Sequence, residues 1–385
     1  YGTASWMGER ELKDVLEVQP LAEADGILLG KRNGKAVCLP ADTRLNRHVA
    51  VFGASGTGKS RGFIRPALFN IIQRGESAII TDSKGELYAD TAELFRSHDY
   101  EVKVFNLVNP EHGDSWNCMS DLGGDTLLAR CSPTSSSATP ALGKPTLWDN
   151  GEGNLLKALI LYVDLDPARS PEEKNLPAVY EMLIRHSAAQ LTALFERLPL
   201  DHPAWTLPSV LPGQRHGAIG HCAGPRHPAA GAAKRGGGPH PPPQRHRPDR
   251  AREEKMRDLC GAQRPGRHHA FLSSLFFSFL FIKLTRFADS TPEMRCPVPV
   301  NLILDEFNNI GKLGGAADGS DFARTLSVVR SRAIYVTLAV QSLGQLQNRY
   351  PNNLWAEIVG NCDVQIMLGC TDDLTAEYFS SAAGT

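Results

Sequence analysis

Residues 53–61 carry the clearest chemistry in the chain. Gly53-Ala54-Ser55-Gly56-Thr57-Gly58-Lys59-Ser60 fits the pattern G-x-x-x-x-G-K-[ST], and Arg61 follows it. Glycines at these spacings let a backbone approach phosphate oxygens closely. Successive N–H groups and the N-terminus of a following helix then face the negative charge. Lys59 would reach β- and γ-phosphates, and Ser60 would ligate a magnesium ion. Far along the chain, Asp305-Glu306 closes the apolar run PVNLIL (299–304). An acid pair at the end of a buried strand suits the second half of such a site. Asp305 would hold the metal shell through water, and Glu306 would polarise an attacking water. Gln341 ends the apolar run 334–340, where it would sense the γ-phosphate or orient water, or simply cap the strand. Arg330 and Arg332 precede that run. In a ring-shaped assembly one of them would reach a neighbour's nucleotide, a contact worth on the order of 10³–10⁵ in rate; otherwise both solvate a loop. Asp82-Ser83-Lys84-Gly85-Glu86 follows another apolar run. It is either part of a ligand site at the carboxyl end of a parallel strand or a turn with an Asp cap.

These residues need a scaffold, and the chain supplies its pattern. His48 to Phe52 reads as a buried strand and Gly62 to Gln73 as a helix, the context a phosphate loop requires. Ser77 to Thr81 is a second strand, Leu87 to His98 a helix, and Glu101 to Val108 a third strand. The strand–helix alternation predicts an α/β fold with a mostly parallel sheet covered on both faces. Ahead of it, the runs in 27–39 flank Asn33-Gly34, a hairpin signal, and 1–13 is a lead-in with a short amphipathic stretch. Residues 120–145 are rich in Ser, Thr, Gly and Pro and read as loop. Asn154 to Val163 and Leu176 to Leu198 are helical, which predicts an all-helical insertion. Phe271 to Ile282 is too short to span a bilayer and reads as a buried helix packed on the sheet. A final strand covers Val364 to Leu368, and a last helix begins near Asp372.

Residues 207–269 differ from the rest. They contain no Phe, Tyr or Asn, and seven of the chain's 12 histidines. A disordered basic linker is one reading. Pro, Arg, Gly, Ala and His also dominate when GC-rich coding DNA is read out of frame, and the abrupt edges fit a frameshift better. Residues 206–269 carry 12 Lys/Arg and four Asp/Glu, a net of +8, against −1 for the whole chain, so the remainder stands at −9. The overall balance therefore gives no sign of a broadly basic nucleic-acid surface. At 385 residues, 42% hydrophobic and 22% charged, the chain has globular composition and room for two domains. Eight cysteines without a C-x-x-C pair argue against a zinc ribbon or disulfide scaffold and suit a reducing compartment. The chain opens on Tyr1 and closes on Thr385 directly after a helix-like segment, and is expected to be a fragment open at both ends. No signal peptide or spanning segment is visible in it, although a preceding segment would have room for one.

Taken together, YGTASW (1–6), VFGASGTGKS (51–60), ITDSKGE (80–86), LILDEFNNIGKL (302–313), VVRSRAIYVTLAVQSLGQL (328–346) and IVGNCDVQIMLG (358–369) resemble the cytoplasmic ATPase of type IV secretion coupling proteins, the TraG/TraD-like group of conjugation systems. DEFNNIGKL (305–313) and QSLGQL (341–346) are much more specific than the Walker motifs. The resemblance covers 1–200 and 271–385; residues 207–269 depart from it. It implies a RecA-like P-loop NTPase with an inserted all-α domain: 1–118 and 270–385 form the nucleotide domain and 119–269 the insertion. It also implies ATP and Mg²⁺ as cofactors, with Lys59 and Ser60 in the phosphate loop, Asp305 and Glu306 as the catalytic acids, Gln341 after the next strand and Arg330 as the arginine acting in trans. The family works as a homo-hexameric ring on the cytoplasmic face of the bacterial inner membrane, held by an N-terminal anchor. It pumps relaxase-bound single-stranded DNA into a secretion channel, with relaxosome and channel proteins as partners. Two other readings stay open: a different ring-shaped DNA translocase, or a docking platform or inactive remnant that does not hydrolyse ATP.

Overall fold

The computed structural model describes residues 7–123, 125, 147–199, 201–206, 267–310, 312–313 and 320–384. The chain opens with helix α1 (Glu9–Val15) and strands β1 (Glu17–Gln19), β2 (Ile27–Arg32) and β3 (Lys35–Leu39). The three strands form a small antiparallel sheet in the order β1-β3-β2. Asn33 and Gly34 turn the hairpin with φ of 49° and 81°, as a tight two-residue turn requires.

The main sheet is parallel and five-stranded: β4 (Val49–Gly53), β5 (Ser77–Thr81), β6 (Val300–Leu304), β7 (Ile334–Val340) and β8 (Val364–Gly369), in the order β5-β6-β7-β4-β8. Every residue of β4, β5 and β6 is buried, as expected for a sheet covered on both faces. Strand alternation divides the core in two. Val49, Val51, Ala78, Ile80 and Ile303 face helices α2 (Arg65–Arg74) and α3 (Glu86–Ser97). Ala50, Phe52, Ile79, Leu302 and Leu304 face the opposite layer. That layer holds α7 (Arg267–Asp289), α8 (Ser320–Val329), α9 (Leu343–Arg349) and α10 (Leu354–Gly360), while α11 (Asp373–Ala382) follows β8.

A separate helical cluster joins α4 (Leu147–Leu165), α5 (Leu176–Arg185) and α6 (Ala188–Glu196). The periodicity of 176–198 breaks at Ser187, whose hydroxyl caps α6 while Gln190 returns a bond to its backbone. Helix α7 serves both bodies: Phe277, Phe281 and Leu284 point to the sheet, and Leu275 and Phe279 to the helical cluster. Being covered on two sides explains its nearly continuous apolar run. Among the described residues, no helix is long and apolar enough to cross a membrane.

One expected strand is absent. Glu101 to Val108 pairs with no strand, and β5 ends the sheet on that side. The Val104 N–H donates to Asp114 Oδ2 at 2.6 Å, and the Val104 carbonyl accepts the Asp114 N–H at 2.6 Å. The segment thus gives its backbone bonds at this position to its own loop, although Val102 and Phe105 still pack on the two core clusters. The expected loop at 120–145 is described only at 120–123 and 125, and the out-of-frame reading of 207–269 lies, apart from 267–269, outside the described residues.

Candidate functional site

Sheet register assembles the site. Thr81 pairs with Leu304, Leu304 with Leu338, and Phe52 with Val340. The carboxyl ends of β5, β6, β7 and β4 therefore line one edge, the place where ligands bind in open α/β sheets. Gly53 opens the phosphate loop there. A Cβ at Gly53 would lie 2.4 Å from Thr57 Oγ1, so any side chain there would push Thr57 out of place. Gly56 and Gly58 both hold φ of 84°, which a side chain would strain. Thr57 Oγ1 donates to the Ala54 carbonyl at 2.9 Å, and the Ala54 N–H donates to the Gly369 carbonyl of β8 at 3.3 Å. Ser55, Gly56, Gly58 and Arg61 are exposed, leaving the loop open to solvent. Ser60–Ile64 then winds as a π-helical turn into α2.

The Lys59 ammonium is buried and folds back onto the loop, donating to the carbonyls of Gly53 and of Ala54, the latter at 3.1 Å. Burial holds its pKa below the usual lysine range, opposed by the charges of Asp305 and Glu306. Ser60 Oγ donates to Asp305 Oδ2 at 3.4 Å, joining two motifs separated by 245 positions. Asp305 is buried, which raises its pKa against the bond that the Glu306 N–H gives to Oδ1 at 2.9 Å. Thr81 Oγ1 also ties the Asp305 carbonyl to β5 at 2.9 Å.

Glu306 sits in the left-handed region, at φ 48° and ψ 49°. Its Oε2 accepts from Ser83 Oγ at 2.8 Å and Asn309 Nδ2 at 2.7 Å, and Lys84 Nζ lies 3.5 Å from Oε1. Burial pushes its pKa up, but the bonds from Ser83 and Asn309 and the Lys84 charge outweigh it, and the net direction is down. The next residue, Phe307, is buried and stacks on Tyr350, with ring centroids 5.7 Å apart, so the turn is anchored in the core.

Gln341 leaves the end of β7 half-buried, and its Oε1 accepts from Gln345 Nε2 at 3.3 Å. Gln345 in turn accepts from Asn308 at 3.1 Å, so a chain of amides runs from the Glu306 turn to Gln341. Arg330 does not join the site of its own chain. It lies before the first residue of β7, at the opposite end of the strand, and its Nη2 donates to the Arg44 carbonyl at 3.0 Å.

Sequence reasoning left Asp82 to Glu86 open between ligand site and cap, and the structure divides the segment. Asp82 is the cap, accepting from the backbone N–H groups of Lys84, Gly85 and Tyr88. Ser83 and Lys84 instead contact Glu306. The sequence marks Ser83 and Lys84 only as part of a polar cluster at a strand end and gives Asn309 no role, because their meeting with Glu306 depends on β5 pairing with β6 and not on the local sequence.

What the site can hold follows from its donors. A buried ammonium, an open glycine loop and a hydroxyl beside a buried carboxylate fit a polyphosphate with a divalent cation. Among the described residues, no group of three or more His, Cys, Asp or Glu could hold a metal alone. A cation bound by Ser60 and Asp305 would complete its shell with phosphate and water, as magnesium ordinarily does. Parallel sheet, glycine loop and strand-end acids together define a RecA-like P-loop fold.

Residues 9–206 match a family model described as type IV secretory system conjugative DNA transfer, and residues 299–385 match the TraM recognition site of TraD and TraG. The first covers over half of the chain, and the chain belongs to this TraG/TraD-like family of type IV secretion coupling proteins. Among solved structures it is similar to the plasmid coupling protein TrwB in complex with a non-hydrolysable ATP analogue, with a TM-score of 0.67 at 17% identity over 100% of this chain and 83% of that one. The unbound form of the bacterial conjugative coupling protein TrwB gives 0.64 at 17% identity, over 99% and 81%. TrwB with ADP and Mg²⁺ gives 0.63 at 17%, over 100% and 83%. At this identity the likeness is one of fold. No curated protein gives a significant match.

Proposed function

We propose that this chain is the ATP-hydrolysing part of a coupling protein that recruits relaxase-bound single-stranded DNA and drives it into a type IV secretion channel. The observation that carries the reading is the contact between Ser60 Oγ and Asp305 Oδ2, which joins a phosphate loop to a strand-end acid pair. The backbone of 53–61 would cradle the phosphates, and Lys59 would leave its loop carbonyls for the β- and γ-phosphate oxygens. Ser60 and Asp305 would hold Mg²⁺, which when bound neutralises phosphate charge. Glu306 Oε1 takes a proton from the attacking water, and Gln341 orients that water. Arg330 is assigned to the nucleotide of a neighbouring subunit, since it stands at the far end of β7 from its own loop. This requires a homo-hexameric ring, with relaxosome and channel proteins as partners. Residues 1–118 and 270–385 would then form the nucleotide domain and 119–269 the inserted helical domain. The assembly would sit on the cytoplasmic face of the bacterial inner membrane, held there by an N-terminal anchor.

Measured ATP turnover with and without single-stranded DNA tests this. Turnover stimulated by DNA, lost with nucleotide binding in Lys59→Ala and lost without it in Glu306→Gln, is the expected result. Tight ATP binding with no turnover in the parent chain would overturn the motor reading and leave a docking platform.

A further inference from the structure

Glu306 adopts a backbone conformation that side chains other than glycine rarely hold, with φ of 48°. Such a conformation persists where the surroundings over-determine it. Here three side chains meet one carboxylate. Ser83 and Asn309 both donate to Oε2, and Lys84 faces Oε1. The three are not equivalent. Asn309 lies in the same short turn as Glu306, so it moves with the carboxylate and cannot fix it against the sheet. Ser83 and Lys84 belong to the turn that follows β5, the neighbouring strand. Thr81 of β5 pairs with Leu304 of β6, the last residue of each strand, and two residues past those ends Ser83 meets Glu306.

The platform carrying them is itself fixed. Asp82 uses both carboxylate oxygens to cap the turn into α3, holding the N–H groups of Lys84, Gly85 and Tyr88 at 3.2, 2.8 and 2.9 Å. Thr81 closes the same junction by donating to the Asp305 carbonyl at 2.9 Å. Ser83 is buried, while the Lys84 side chain is 53% exposed, so one tether is set in the sheet edge and the other stands at its mouth. Oε2 thus carries two direct hydrogen bonds, and Oε1 is the oxygen with room to accept another. A base acting on water must be held within hydrogen-bond reach of the proton it takes.

We propose that Ser83 and Lys84 are positioning residues for the Glu306 carboxylate, Ser83 pinning Oε2 beside the end of β5 and Lys84 orienting Oε1 for the attacking water. This rests on Glu306 acting as the base of ATP hydrolysis. Four variants of the whole chain test it: Ser83→Ala, Ser83→Thr, Lys84→Ala and Lys84→Arg. The alanine variants should lose about tenfold or more in kcat, while their Kd for the Mg²⁺ complex of a non-hydrolysable ATP analogue stays within about twofold of the parent. The Thr and Arg variants should recover most of the lost kcat. In nucleotide-free protein, amide hydrogen exchange across 305–310 should quicken in Ser83→Ala and Lys84→Ala. Unchanged kcat, raised kcat, a matching loss of analogue affinity or unaltered exchange would each overturn the assignment. If the parent shows no turnover yet exchange still quickens in the alanine variants, the hydrolysis reading fails and the tether to Glu306 stands.

Discussion

His48 makes the folded chain sensitive to mild acid. It lies one residue before β4, fully buried, and joins three elements. Its Nδ1 accepts the Val336 N–H of β7 at 3.0 Å, and its Nε2 donates to the Leu326 carbonyl of α8 at 3.0 Å. Both bonds require a neutral ring with its proton on Nε2. A second proton would place an N–H on Nδ1 against the Val336 N–H. Burial lowers the pKa from the ordinary 6.5 to about 4; the Leu326 carbonyl opposes this, the Arg330 charge adds to it, and Asp363 opposes it. Between these values the unfolded chain binds a proton that the folded chain refuses. The contribution to stability is therefore complete above pH 6.5 and lost as the pH falls toward about 4. At about 1.4 kcal/mol per unit, the gap amounts to on the order of 3 kcal/mol. Urea unfolding at a series of pH values from 7 to 4.5 measures it. His48→Gln keeps one acceptor and one donor but does not titrate, so its stability should fall less steeply with acid than the parent's. Parallel curves for the two proteins would refute the reasoning.

Two further substitutions probe the phosphate loop and the distant arginine. Gly53→Ala places a Cβ 2.4 Å from Thr57 Oγ1 and 3.0 Å from Lys59 Cγ, so the loop must shift. Its affinity for a fluorescent ATP analogue should drop by tenfold or more, about 1.4 kcal/mol, with the circular dichroism spectrum retained; parent-like affinity would show that the close approach is dispensable. Arg330→Ala should abolish turnover in an assembled ring while nucleotide binding is kept, and unchanged turnover there would remove Arg330 from the site.

The conformation of residues 53–60 was legible in the sequence because the loop is built from consecutive backbone groups, and glycine spacing alone reports the backbone geometry they need. Strands β4 to β7 were legible for a related reason: burial on both faces leaves nearly unbroken apolar runs, whereas β8, at the sheet edge, buries none of its residues fully. Asp305 and Glu306 could be proposed because they end such a run. What the sequence could not contain was the pairing order β5-β6-β7-β4-β8. An apolar run says that a strand is buried, and nothing about which neighbour takes its hydrogen bonds. That order carries Ser60 to Asp305 and brings Ser83 and Lys84 to Glu306, and the parallel direction of β7 beside β4 sets Arg330 at the far end of the strand from its own loop. It also ends the sheet at β5, because Val104 spends its backbone bonds on Asp114 instead of on a neighbouring strand.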